Sequence, residues 1–187
     1  MNTETLVLAA VMTALVIILQ FMGAFVRLGI FQCSLVLMPI VVGAAKCGTK
    51  IGGWLGFVFG MVVLLNGDAA PFLAVSVGGT IITVLAKGIL CGLCAGFVFN
   101  LLKDINVYLA TFVAAIVCPV VNTGIFLIGC FLFFFETIEA WGLAAGFGTA
   151  AEYMFLGLAG GNFLFELITN LVLCPAIVRV LNIGKKK

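Results

Sequence analysis

Apolar residues run in long blocks along the chain, separated by charges or turn residues, and inside the blocks charge is rare. Six blocks stand out, at about 5–26, 29–46, 50–66, 81–102, 105–134 and 159–181. Arg27 closes the first, the Lys46 to Lys50 stretch the second, and Asn66-Gly67-Asp68 the third. Lys103-Asp104 ends the fourth, and Glu136 to Glu139 ends the fifth. Blocks of this kind, with charge scarce inside them, predict membrane-spanning helices. The pattern therefore predicts an all-α integral membrane protein: six transmembrane helices in a single domain over 1–187, both termini cytoplasmic. Two junctions carry extra material. Residues 68–80, with Pro71 and Gly78-Gly79, suit a partly re-entrant loop, and residues 136–158, with Trp141 and Tyr153, suit an interfacial loop.

Composition agrees and narrows the class. Of 187 residues, 65% are hydrophobic and 9% charged, and there are 23 glycines besides. A small soluble domain needs far more polar side chains for its surface. Soluble enzymes, disordered tails and nucleic-acid binders are excluded on this ground. Histidine is absent, which removes the commonest general base and zinc ligand. With only Ser34 and Ser76 as serine nucleophiles and no paired acidic metal motif, no catalytic residue, metal or cofactor is expected. A cleavable signal peptide is not expected either, because the first apolar run opens on Thr3-Glu4-Thr5 without a basic region. The seven cysteines all lie in apolar segments and read as reduced membrane residues, the Cys91-Gly-Leu-Cys94 pair included.

Charge placement sets the orientation. With the termini inside, Lys46, Lys50, Lys103, Arg179 and Lys185 to Lys187 are cytoplasmic, seven of the nine basic residues. Asp68, Glu136 and Glu139 then face outward, as the positive-inside rule favours.

A charge within a bilayer costs at least about 2.5–3.5 kcal/mol on insertion scales, so the few intramembrane polar residues are the first site candidates. At 1.5 Å per residue, Lys87 stands roughly 22 Å from the inner end of its helix, and Asn122 and Thr123 about 26 Å from theirs. Glu166 is roughly 20 Å above Arg179, Asn162 is higher, and Gln20 falls at a similar height. Asn162, Glu166 and Asn170 share one helical face by their i, i+4, i+8 spacing. Such a stripe must face protein or a water-filled cavity. Two readings stay open: interhelical bonding, with Lys87 paired to Glu166, or a ligand pocket toward the outside. The shared depth favours the pocket.

The glycines are periodic as well. Gly52, Gly56 and Gly60, and Gly88, Gly92 and Gly96, repeat every four residues, a pattern that lets helices pack closely. The near-match of Gly56-Phe-Val-Phe-Gly60 to Gly96-Phe-Val-Phe-Asn100 hints at duplication. Ala10 and Ala14 form a smaller repeat that serves either internal packing or docking of a second membrane protein. Pro39, Pro119 and Pro175 lie within spans and are expected to kink or end them.

Several of these stretches together resemble a known family. They are Leu37-Met-Pro-Ile-Val-Val-Gly-Ala44 leading to Gly52-Gly-Trp-Leu-Gly-Phe-Val-Phe-Gly60, then Val121-Asn-Thr-Gly-Ile-Phe126, and Glu166-Leu-Ile-Thr-Asn170 running to Pro175-Ala-Ile-Val178. The chain is similar to the S components of energy-coupling factor (ECF) transporters, nearest the riboflavin and pantothenate type. The resemblance implies a prokaryotic cell-membrane subunit that binds one small vitamin near the outer surface. It also implies docking on a transmembrane coupling subunit joined to two cytoplasmic ATPases, with Ala10 and Ala14 matching the family's docking pattern. The absence of a Walker motif leaves ATP hydrolysis to those partners. The expected substrate contacts are Lys87, Asn122, Thr123, Asn162, Glu166, Asn170 and Gln20. Lys87 and Arg27 could hold a carboxylate and the asparagines hydroxyl or amide groups, which suits pantothenate; riboflavin is the alternative, and Phe21, Phe25, Phe72 and Phe126 could stack on a ring. A stand-alone transporter or channel is less favoured, because the inner halves of the helices are almost wholly apolar.

Overall fold

A computed structural model describes residues 3–25, 27–28, 31–32 and 35–182. Helix α1 (Thr3–Phe25) is apolar nearly all round, yet it buries only Ala9, Met12, Val16 and Gln20 among its described side chains. That narrow i, i+3, i+7, i+11 stripe packs on the bundle, and the rest of the helix is left for lipid. A two-residue strand β1 (Arg27–Leu28) pairs antiparallel with β2 (Phe31–Gln32), Arg27 opposite Gln32 and Leu28 opposite Phe31.

The structure corrects the second predicted span, 29–46. Helix α2 occupies only Leu37–Cys47, 11 residues, after the strand pair. Pro39 thus falls in the first turn of α2, where its missing N–H has no intrahelical partner to lose, and it neither kinks nor ends a span. Gly48, at φ +97°, separates α2 from α3 (Thr49–Leu65) in a conformation that L side chains rarely adopt. The segment expected as a re-entrant loop holds a short helix, α4 (Ala70–Val75), and α5 begins at Val77 and runs to Leu102. Ser76 caps α5 by accepting the Gly79 N–H, and Asn106 caps α6 (Val107–Phe133) by accepting from Tyr108 and Leu109.

The segment expected as an interfacial loop is largely helical too. It contains α7 (Phe135–Ala144) and α8 (Ala150–Glu152), and α8 passes through a π-helical stretch, Tyr153–Gly160, into α9 (Gly161–Asn182). Among the described residues, four helical stretches, Thr3–Gly23, Val77–Leu102, Val107–Phe133 and Ala150–Arg179, are long and apolar enough to cross a membrane. Helices α2 and α3 are apolar but shorter.

The centre of the bundle is the α3–α5 contact. A Cβ placed on Gly52 or Gly56 would strike the carbonyl oxygen of Gly92 or Gly88, and the reverse holds for Gly88 and Gly92. The two backbones touch along this seam, as the four-residue glycine spacing requires. The main core spreads from there, through Val16 of α1, Ile40 of α2, Leu55 and Phe59 of α3, Ala95 of α5, Cys118 of α6 and Ile177 of α9. A second cluster, built on Cys130, Phe134, Ile138 and Met154, lies where α6, α7 and the π-helical stretch meet. The six described cysteines are free thiols, and Cys91 donates to the Gly88 carbonyl at 3.1 Å; Cys33 and Ser34 lie outside the described residues, as do Lys185 to Lys187.

Candidate ligand cavity

The bundle has a basic end, marked by Lys46, Lys50, Lys103 and Arg179, and an opposite end where α4 and α7 sit. At the basic end Lys103 Nζ donates to Asn100 Oδ1, and Asn100 Nδ2 donates to Thr49 Oγ1, tying α5 to α3. A cavity of about 410 Å³ lies in the other half. That volume is in the range of small-molecule sites.

Each wall comes from a separate element. Helix α1 gives Gln20, the next position on its buried stripe after Val16. Helix α3 gives Phe59 and Val63, α5 gives Val84 and Lys87, and α6 gives Asn122, Thr123 and Phe126. The π-helical stretch gives Gly157, Leu158 and Ala159, and α9 gives Asn162 and Glu166. Long π-helical runs are rare and concentrate at functional sites. The segment after α3 closes one side with Gly67, Asp68, Ala69, Pro71 and Phe72.

The structure therefore brings Gln20, Lys87, Asn122, Thr123, Asn162 and Glu166 to one cavity. It does not bring Asn170, which is 2% exposed, buried beyond the cavity lining, with its Nδ2 unpartnered. Phe21 is exposed rather than lining the cavity. Arg27 lies in β1 and Phe25 ends α1, and the side chains of both fall outside the described residues. Phe72 and Phe126 do line the cavity, their rings edge to face at 5.8 Å, and Phe72 also packs on Phe134 at 5.1 Å and Trp141 at 5.5 Å. Such pairs each add about 0.5–1.5 kcal/mol beyond area burial, which holds α4 against α7.

The electrostatics differ from a simple ion pair. Among the described residues, no ammonium–carboxylate contact joins Lys87 to Glu166. Glu166 accepts a 3.3 Å hydrogen bond from Asn122 Nδ2 instead, and the Lys87 ammonium lies 5.5 Å from the Phe59 ring centre and 5.3 Å from that of Phe126. Asp68 Oδ2 accepts from Gln20 Nε2 at 2.9 Å and from Asn66 Nδ2 at 2.7 Å, and the Asp68 N–H donates to Asn66 Oδ1 at 3.0 Å. This Asn66–Asp68 turn, entered through Gly67 at φ +87°, ties the segment after α3 to α1. Charge counting alone assigns Asp68 only to a side of the membrane. The Asn-Gly-Asp turn is the available signal for its local role, but no pattern in the chain points to Gln20 as its partner.

Apolar helices that enclose a polar cavity, in the half of the bundle away from the basic rim, define a membrane-embedded binding protein. The chain belongs to the ECF transporter substrate-specific component family, which it matches over residues 4–178. Members of that family bind substrate and are not catalytic. No curated protein matches the chain.

Proposed function

We propose that this chain is the high-affinity binding subunit of an ECF-type importer for a small water-soluble vitamin, with pantothenate as the cargo. The observation that carries the reading is the lining of the cavity. Four helices, α1, α5, α6 and α9, set polar groups into one space, and its ammonium, Lys87, lies over the Phe59 and Phe126 rings. An ammonium so placed suits a ligand carboxylate, and Asn122, Asn162 and Glu166 suit hydroxyl and amide groups. Phe59, Phe72 and Phe126 in the same lining favour riboflavin as the second reading, since its ring system would stack there.

In this reading the chain crosses a prokaryotic cell membrane six times, α2 and α3 supplying the shorter crossings. The basic end is cytoplasmic, in keeping with the positive-inside rule. Ala10 and Ala14 of α1, both exposed, meet the transmembrane coupling subunit, and two ATPases on that subunit supply the energy. Thermal stabilisation of the purified chain by a vitamin panel tests the assignment. A single hit at submicromolar affinity is expected. No shift from any micronutrient, together with ion conductance in liposomes, would sink it. Asn122→Ala and Glu166→Gln are expected to weaken binding about 10- to 100-fold, the effect of losing a buried hydrogen-bond partner, while the protein stays folded. Unchanged affinity in both would make the pair structural.

A further inference from the structure

Two polar groups of the cavity, Asn122 and Lys87, carry the argument, each in a particular sense. Asn122 is 5% exposed; its Nδ2 donates to Glu166, while its Oδ1 is buried with no partner. The bond to Glu166 fixes the amide's orientation, because turning it over would set Oδ1 against the carboxylate oxygens. A carboxylate offers about four acceptor sites and no donor, and Asn122 uses one of those on Glu166. On this side the buried acceptor without a partner is Asn122 Oδ1, and Glu166 beside it has further acceptor sites.

Lys87 is the reverse. An ammonium has three donors and no acceptor, and here it lies over the Phe59 and Phe126 rings. A ring face attracts a cation but does not replace the oxygens of an anion. Asp68 and Glu166 line the same cavity, and amide groups engage both carboxylates, Gln20 and Asn66 at Asp68 and Asn122 at Glu166. A ligand anion is drawn to Lys87 and repelled by Glu166, which gives the cavity a direction.

We infer that the cavity selects a small carboxylate bearing hydroxyl or N–H donors, held with its acid group at Lys87 and its donors at Asn122 Oδ1 and Glu166. The inference rests on the binding-subunit reading above and adds the demand for a ligand donor that the unpartnered Asn122 Oδ1 makes. Asn122 and Glu166 are specificity determinants in it: a ligand lacking the donors leaves a buried oxygen unpaired, which a site built for hydrogen bonding rejects strongly.

Calorimetric titration of the purified full chain in detergent tests this with six probes. They are pantothenate, panthenol (the acid replaced by an alcohol), a pantothenate analogue lacking one hydroxyl, and riboflavin, with gluconate and mevalonate as further hydroxylated acids. In the wild-type chain panthenol is expected to bind about 30-fold or more weakly than pantothenate, the usual scale for removing one partner of a buried charge pair. Lys87→Met should bring the two to within about threefold of each other, with Lys87→Gln as the substitute if the methionine variant fails to fold. Loss of the hydroxyl should cost about tenfold in the wild type and close to nothing in Glu166→Gln or Asn122→Leu, while the panthenol penalty persists in both.

An acid-versus-alcohol ratio unchanged by both Lys87 variants overturns the inference, and so does a hydroxyl penalty unchanged in both Glu166→Gln and Asn122→Leu. Riboflavin binding at an affinity unaffected by Lys87→Met leaves the binding-subunit reading standing and refutes this one. Binding of gluconate or mevalonate but not pantothenate, with the same dependence on Lys87, removes the vitamin assignment and upholds the cavity chemistry. A panel with no ligand at all overturns both.

Discussion

Gly56→Leu is expected to abolish folded protein in detergent, and Gly56→Ala to lower stability by about 3 kcal/mol, the upper part of the range for overpacking. The reason is that the clash is with backbone. A Cβ on Gly56 meets the Gly88 carbonyl oxygen and carbon and the Ile89 nitrogen, none of which can rotate away as a side chain would. Relief requires α3 and α5 to separate, and their separation removes the contacts of Gly52 with Gly92 and of Gly60 with Val84 along the same seam. Apolar burial cannot compensate, since lipid is as apolar as the helix surface it would replace. Gly78→Ala is the control, because a Cβ there meets nothing within 4 Å. Thermal denaturation followed by size-exclusion recovery reads the difference. Equal recovery of Gly56→Leu and Gly78→Ala would show that the seam is not what holds the bundle together.

Ala14→Trp is expected to abolish vitamin uptake while ligand affinity stays within about twofold of wild type, the usual effect of a surface change away from any packed feature. Ala14 is exposed on the face of α1 opposite its buried stripe, so an indole there displaces no neighbour within the chain. Gln20, the α1 residue at the cavity, is about 9 Å further along the helix. A partner helix packing on Ala10 and Ala14 needs close backbone approach, and an added indole prevents it at a cost of about 1–3 kcal/mol or more, enough for a 10- to 100-fold loss. The measurement is uptake of labelled vitamin by cells expressing the coupling subunit and ATPases, set beside calorimetry on the purified variant. Normal uptake would refute the docking face; lost binding in the purified variant would show that the change had disturbed the cavity instead.

Depth is the most legible property of the site. Helix rise is fixed, so counting from charged ends brings Lys87, Asn122, Glu166 and Gln20 to one level, and those residues do line one cavity. The same count shows why Asn170 is not in the lining: eight residues beyond Asn162 is about 12 Å along the axis, so a shared face does not mean a shared depth. Side-chain pairing is less legible. Lys87 and Glu166 are opposite charges at one height, yet their partners are aromatic rings and an asparagine, because lateral position around a helix depends on packing that the sequence pattern does not state.

Hydropathy likewise fails where structure is short. The stretch from Leu28 to Val36 is as apolar as a helix, and an apolar run of that length does not distinguish strand from helix. Helices α4 and α7 look like loops in the sequence because their glycine-, proline- and alanine-rich surroundings resemble connections, although packing of Phe72 on Phe134 and Trp141 is enough to order them.

The π-helical stretch before α9 has a consequence for phase. In an α-helix each added or removed residue turns everything beyond it by about 100°. A π segment has wider turns and so absorbs such a change locally. The facing of Asn162 and Glu166 is thereby set separately from that of Glu152, whose carboxylate accepts the Gly148 N–H at the far side of the stretch. A change in length of the chain between α7 and Tyr153 can therefore be taken up before α9, whose polar face keeps its bearing on the cavity.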